Sequence, residues 1–196
     1  MRNLARFIVV LGFAAALLGI GGAARATTLH IAVSAHLTQV GEPAGIYGAS
    51  ADFEPVIEGA IERYTSIGLV LPSLRIYVHA AGAGCQGHEG IFGQFGQRDR
   101  IDLCTESRFI VLHELAHAWE QHTISDETRL AVLEHTGKAV WHDRDLPWLD
   151  SGAEVAANNI AWGLMGPPLT EPEIQRFERL LDRFTLLTGV TSPRIE

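Results

Sequence analysis

The sequence predicts an α+β domain in which a small twisted N-terminal sheet with one packing helix is followed by a run of helices. Three observations predict it. β-Branched and aromatic strand patterns lie in the first half of the chain; apolar residues recur at helical spacing in the second half; and glycine- and proline-rich loops such as "GEPAGIYGAS" punctuate the first half. The 196 residues allow one domain, expected over 27–196.

The first 26 residues stand apart from that domain. "MRNLAR" is cationic, "FIVVLGFAAALLGIGG" is apolar, and "ARA" (Ala24–Ala26) offers small residues at a cleavage position. This is the layout of a secretory signal peptide cut near Ala26, and a retained membrane anchor is the alternative. No cysteine follows the run, and no later stretch approaches spanning length. Cleavage is therefore expected to leave no stable membrane span and a protein that is secreted, periplasmic or at the cell surface.

"LHIAVS" (Leu29–Ser34) alternates like a first strand, and "GEPAGIYGAS" (Gly41–Ser50) reads as loop. Val56, Ile57, Ala60, Ile61 and Tyr64 form a helical stripe that stops at Gly68. "LRIYVHA" is a strand, and "GIFGQF" and "RIDLC" flank a "GQRD" turn as a hairpin. A helix from about Glu106 to His122 follows, with Thr105 as its expected N-cap. A second helix spans about Ser125–Thr136, and the loop "GKAVWHDRDLPWLDSG" leads to a third, "AEVAANNIAWGLM". "LTEPEIQRFERLLDRFTLLTG" is a terminal amphipathic helix, with Thr170 at its N-cap and Pro172 in its first turn. Phe177 and Phe184 belong to its apolar face.

Removing the leader takes away Arg2, Arg6 and Arg25 and no acid, moving the formal charge from −8 to −11 and leaving Lys138 as the lone lysine. With no basic patch to meet phosphates, nucleic acid is excluded as a partner. Cys85 and Cys104 read as a disulfide in an oxidising compartment, closing a loop of about twenty residues worth about 3 kcal/mol. As metal ligands they lack the neighbouring cysteine such sites use.

The chemistry sits in "VLHELAHAWEQH" (Val111–His122). Residues four apart share a helix face, so His113 and His117 can present two imidazole nitrogens to one ion, with Glu114 beside them to reach a water on that ion. The competing reading is a half-buried helix with two hydrogen-bonded histidines. A third ligand is needed. His122 points about 140° away from His117 around the helix. Glu120 and Thr123 stand where a longer motif would have glycine and a third histidine. Glu154, 37 residues after His117, is the better candidate, with Ala153, Ala156 and Ala157 clearing space for close helix packing and Asn158 one turn on. "SGAE" also fits a capping box between Ser151 and Glu154, which would use that carboxylate differently. Asp143, Asp145 and Asp150 are lesser ligand candidates. Trp119 and Trp162 are expected in the core, while Trp141 and Trp148 are open between core and pocket.

"HELAHAW" followed by "SGAEVAANNIAWGL" resembles the zincin class of zinc metallopeptidases, in its gluzincin branch, and within it small secreted bacterial proteins. The resemblance covers about Cys104–Leu164. It implies a zincin-like core and one Zn2+ per chain. His113, His117 and Glu154 match the metal ligands of the branch, and Glu114 its catalytic glutamate. Asn158 falls where many members place an aspartate that steadies a ligand histidine, a departure from the pattern. The resemblance also implies an edge strand that aligns extended substrate, "GIFGQF" or "RIDLC", and an oxyanion-stabilising tyrosine or histidine. His135 and His142 are candidates for that role, whereas Tyr47, Tyr64 and Tyr77 have no motif around them. Two functions follow as expectations: a monomeric secreted peptidase acting on peptides or proteins, or a non-catalytic zincin-fold domain whose structural zinc supports binding of a protein or cell-wall partner.

Overall fold

A computed structural model describes residues 45–80, 84–95, 98–143, 147 and 150–195, all within one compact unit, Gly41–Glu196. The expected signal peptide and first strand, and with them Asp145 and Trp148, lie outside the described residues.

Four strands, β1 (Gly45–Tyr47), β2 (Leu74–Val78), β3 (Gly90–Phe95) and β4 (Arg98–Leu103), form one mixed sheet in the order β1-β2-β4-β3. β1, β2 and β4 run parallel and β3 returns antiparallel to β4. Side chains alternate across a strand, so Leu74, Ile76, Ile101 and Leu103 enter the core while Tyr77, Arg100 and Asp102 take the outer face. β1 corrects the sequence reading of Gly41–Ser50 as loop. Three residues carry no pattern of their own and become a strand only by pairing with Arg75–Tyr77. Gly48 ends it at φ 78°, where a Cβ would sit 2.6 Å from the Val78 carbonyl oxygen. The hairpin turn is also shorter than expected, since Arg98 and Asp99 already belong to β4.

Five helices complete the described residues: α1 (Glu54–Ser66), α2 (Arg108–Thr123), α3 (Asp126–Thr136), α4 (Gly152–Leu164) and α5 (Glu171–Thr188). α1 buries Ile57, Ala60 and Tyr64 from its predicted stripe. α2 begins two residues later than expected, with Ser107 and not Thr105 at its N-cap. Glu106 stays outside the helix and accepts a hydrogen bond from Ser50. Every residue from Ile110 to Glu120 is buried, because α1, α4, β3 and β4 all pack on this one helix. A helix covered on all sides can place polar groups only where they meet one another.

α4 reaches α2 through small residues: Ala153, Ala156, Ala157 and Ala161 are fully buried. Gly163 lets α5 in as well, since a Cβ there would lie 2.1 Å from the Phe184 ring. Glu173 accepts from the Thr170 N–H to fix the start of α5, and Gly189 ends it in the left-handed region. The disulfide between Cys85 and Cys104 forms as expected and closes the loop holding the β3–β4 hairpin. Among the described residues no helix is long and apolar enough to cross a membrane.

Candidate metal centre

α2 delivers His113 and His117 to one face, and α4 brings Glu154 against them. His113 Nε2 lies 3.1 Å from His117 Nε2 and 3.1 Å from Glu154 Oε2, and His117 Nε2 lies 3.3 Å from the same carboxylate oxygen. The three atoms make a nearly equilateral triangle. A tetrahedral ion with bonds of about 2.0–2.1 Å holds its donors about 3.3 Å apart, so the triangle has the size such an ion requires. These three residues form a cluster that can hold a metal ion.

The hydrogen bonding of His117 supports that reading. Its Nδ1 lies 2.9 Å from Oε1 of Glu120, which is 1% exposed. When Nδ1–H donates to Glu120, Nε2 carries a lone pair, as a ligand must. That lone pair then faces a carboxylate oxygen, and the two repel unless a cation lies between them. In the metal-free protein a proton takes the cation's place. Burial works to lower the His117 pKa, but the hydrogen bonds and charges of Glu120 and Glu154 outweigh it and carry it up to about 10. Burial likewise works to raise Glu154, and His113 and His117 overcome it, bringing the carboxyl down to about 2.

Glu114 stands outside the triangle. Burial pushes its pKa up, against the partial opposition of His117 and His113 and of the nearby backbone N–H of Phe92 in β3. A carboxylate with a raised pKa close to a metal site is suited to exchanging protons with a bound water.

The capping alternative for Glu154 does not form. Ser151 Oγ donates to the Trp141 carbonyl at 2.7 Å, and the Gly152 and Ala153 N–H groups are satisfied by Val140 and Trp141 carbonyls. Asn158 lies half-buried on α4, one turn beyond Glu154. Glu120, which the sequence reading did not assign to the site, holds His117 through its Nδ1. The signal available in the sequence was a carboxylate three positions after a ligand histidine, one turn along the same face.

Other candidates fall elsewhere. His122 binds Asp99 at 2.6 Å, and Asp150 pairs with Lys138. Asp143 is exposed and outside the cluster. Tyr47 and Tyr77 stack on the outer sheet face, and Tyr64 donates to the Leu112 carbonyl from α1. His135 is exposed at the end of α3. His142 is also exposed, but partial burial lowers its pKa and it senses the charges of Glu120, His117 and Glu154. Trp119 is core, Trp141 packs half-buried against it, and Trp162 rests on Phe177 under Arg194. β4 lies inside the sheet, so of the two strands suggested for substrate alignment β3 alone is an edge. No protein family, curated protein or solved structure matches this chain.

Proposed function

We propose that this chain is a zinc-dependent peptidase with a zincin-like core, working outside the cytosol on peptide or protein substrates. The observation that carries the reading is the ligand triangle of His113, His117 and Glu154 with the Glu114 carboxylate beside it and not in it. Two imidazoles and one carboxylate are a donor set suited to zinc, which His113, His117 and Glu154 would hold. When bound, zinc would bring the pKa of a bound water toward neutrality and polarise the scissile carbonyl. Glu114 takes the water's proton and returns it to the leaving amine. His117 is held in its ligating tautomer by Glu120. The free edge of β3 beyond Phe92, whose own N–H is turned to Glu114, aligns an extended substrate by strand addition. His142 is the candidate to stabilise the oxyanion. The disulfide fits an extracytoplasmic setting.

A second reading is favoured by the depth of the site. His113, Glu114 and His117 are 1%, 5% and 8% exposed, which suits a structural zinc in a non-catalytic binding domain. Zinc per mole and hydrolysis of a broad peptide library, measured on the wild type and on Glu114→Gln, separate the two. One zinc in both proteins, with hydrolysis lost about 100-fold or more in the variant, is the enzyme's outcome. One zinc and no hydrolysis by the wild type gives the site to the binding domain.

A further inference from the structure

Strand β3 carries a glycine, Gly90, where the fold alone does not ask for one. A glycine within a strand forgoes side-chain packing and costs backbone entropy. Gly90 is not among the residues with positive φ, so it is the missing side chain and not conformational freedom that is being used. A Cβ placed there would stand 2.6 Å from Glu114 Oε1, 2.8 Å from Glu114 Cγ and 2.8 Å from Ile110 Cγ2. The glycine is therefore the clearance that lets the edge strand settle on Glu114.

The ladder explains what the strand does with that closeness. Cys104 N–H donates to the Glu89 carbonyl at 2.8 Å, and the register continues Gly90↔Leu103, Ile91↔Asp102, Phe92↔Ile101. Bonded and non-bonded pairs alternate in an antiparallel ladder, so Glu89, Ile91 and Gly93 bond to β4 and the Phe92 N–H turns to the free edge. That amide, unused by the sheet, is turned toward the Glu114 carboxylate and favours its charged form.

We propose that the start of β3 is a positioning element for Glu114: Gly90 supplies the clearance, and the outward Phe92 N–H holds the carboxylate in place. A glutamate side chain has three rotatable bonds, and a charge-assisted bond from a backbone fixed in a sheet restricts them more firmly than one from another flexible side chain. Fixing one end of the carboxylate leaves its remaining lone pairs for the water's proton. The proposal rests on Glu114 being the general base, but the contact itself is testable without activity.

The experiment uses the zinc-loaded mature protein. Backbone amide exchange is followed at Phe92 in wild type and in Glu114→Ala, and thermal unfolding is compared for wild type, Gly90→Ala, Glu114→Ala and the double variant. The expected results are Phe92 exchange at least about 10-fold faster in Glu114→Ala, and a drop in Tm from Gly90→Ala that shrinks by half or more when Glu114 is already alanine. Gly90→Ala should also lower kcat about 10-fold or more with KM little changed and zinc stoichiometry intact, a split that a general loosening of the fold would not give. Equal Tm drops in both backgrounds, or unchanged Phe92 exchange, overturn the proposal. If Gly90→Ala alone does not fold, recovery of folding in the double variant supports it and failure of both overturns it. Absence of hydrolysis in the wild type would remove the peptidase reading while leaving the exchange and unfolding results to decide the contact.

Discussion

The histidine–carboxylate cluster on the outer sheet face and the one between α2 and α4 differ in how their charge is balanced. On the outer sheet face Asp102 accepts from His79 at 2.5 Å and from Arg100 at 2.6 Å, and Arg100 also lies 4.4 Å over the Tyr77 ring. A permanent cation is built in, and Asp102 needs nothing from outside. Between α2 and α4, Glu114, Glu120 and Glu154 meet His113 and His117, and among the described residues no lysine or arginine pairs with these acids. Glu120 keeps one oxygen, Oε2, buried without a partner. Two buried acids, the half-buried Glu154 and two imidazoles are balanced by protons or by an added ion. The first cluster is complete as folded; the second is one that can hold a cation.

Removing Glu154, the proposed third ligand, breaks that contrast most. Glu154→Ala leaves two nitrogens, and zinc affinity in a chelator competition should fall by about 100-fold or more. An unchanged affinity would take Glu154 out of the site. The same balance predicts protons in exchange for metal. His117 is held protonated up to about pH 10 by Glu120 and Glu154, so zinc binding at pH 7 should release about one proton per ion, read by calorimetry in buffers of different ionisation enthalpy. In the metal-free protein, His117 contributes stability that is fully present below its unfolded pKa and is lost as pH rises through about 10.

Glu120→Gln has a smaller effect on the same quantity. The amide can still occupy the space but presents a weaker acceptor to Nδ1–H, or turns its NH2 to the ring and favours the wrong tautomer. Zinc affinity should fall about 10- to 100-fold, and the absorption of the cobalt-substituted protein should shift while the fold is kept. A variant that binds zinc and cobalt as the wild type does would reduce Glu120 to packing.

The same division explains what was legible in the sequence. His113, Glu114 and His117 are read from spacing because a helix converts a four-residue interval into one face. The α1 stripe and the β2 pattern are equally local. Glu154 was ambiguous because ligand and capping residue look alike until the path of the chain is known; it is Val140 and Trp141, folding back onto α4, that satisfy the helix start. β1 was missed because three residues gain their strand conformation from β2 alone. Glu120 was missed because a glutamate in "AWEQH" reads as surface charge, and only the packing of α1, α4 and the sheet around α2 buries it. The edge position of β3 is likewise a fact of strand order, which no local pattern encodes.

The self-contained cluster supplies the control. Burial works to raise the Asp102 pKa, but hydrogen bonds and charge from Arg100 and His79 outweigh it and hold the carboxyl below its ordinary value. The stability it contributes is therefore fully present above the unfolded pKa of about 3.9 and is lost as pH falls through the lower folded value. Asp102→Asn removes the ion pair while keeping the shape. It should cost about 1–3 kcal/mol at pH 7 and flatten the acid side of the Tm–pH curve, where the wild type still gains from an ionised carboxylate. Zinc affinity should not change, because Asp102 faces away from α2 on the opposite side of the sheet. A fall in affinity would mean that the sheet transmits strain to the ligand triangle and that the two clusters are not independent. A variant as stable as the wild type, with the same acid limb, would mean that Arg100 and His79 find water as good a partner as Asp102.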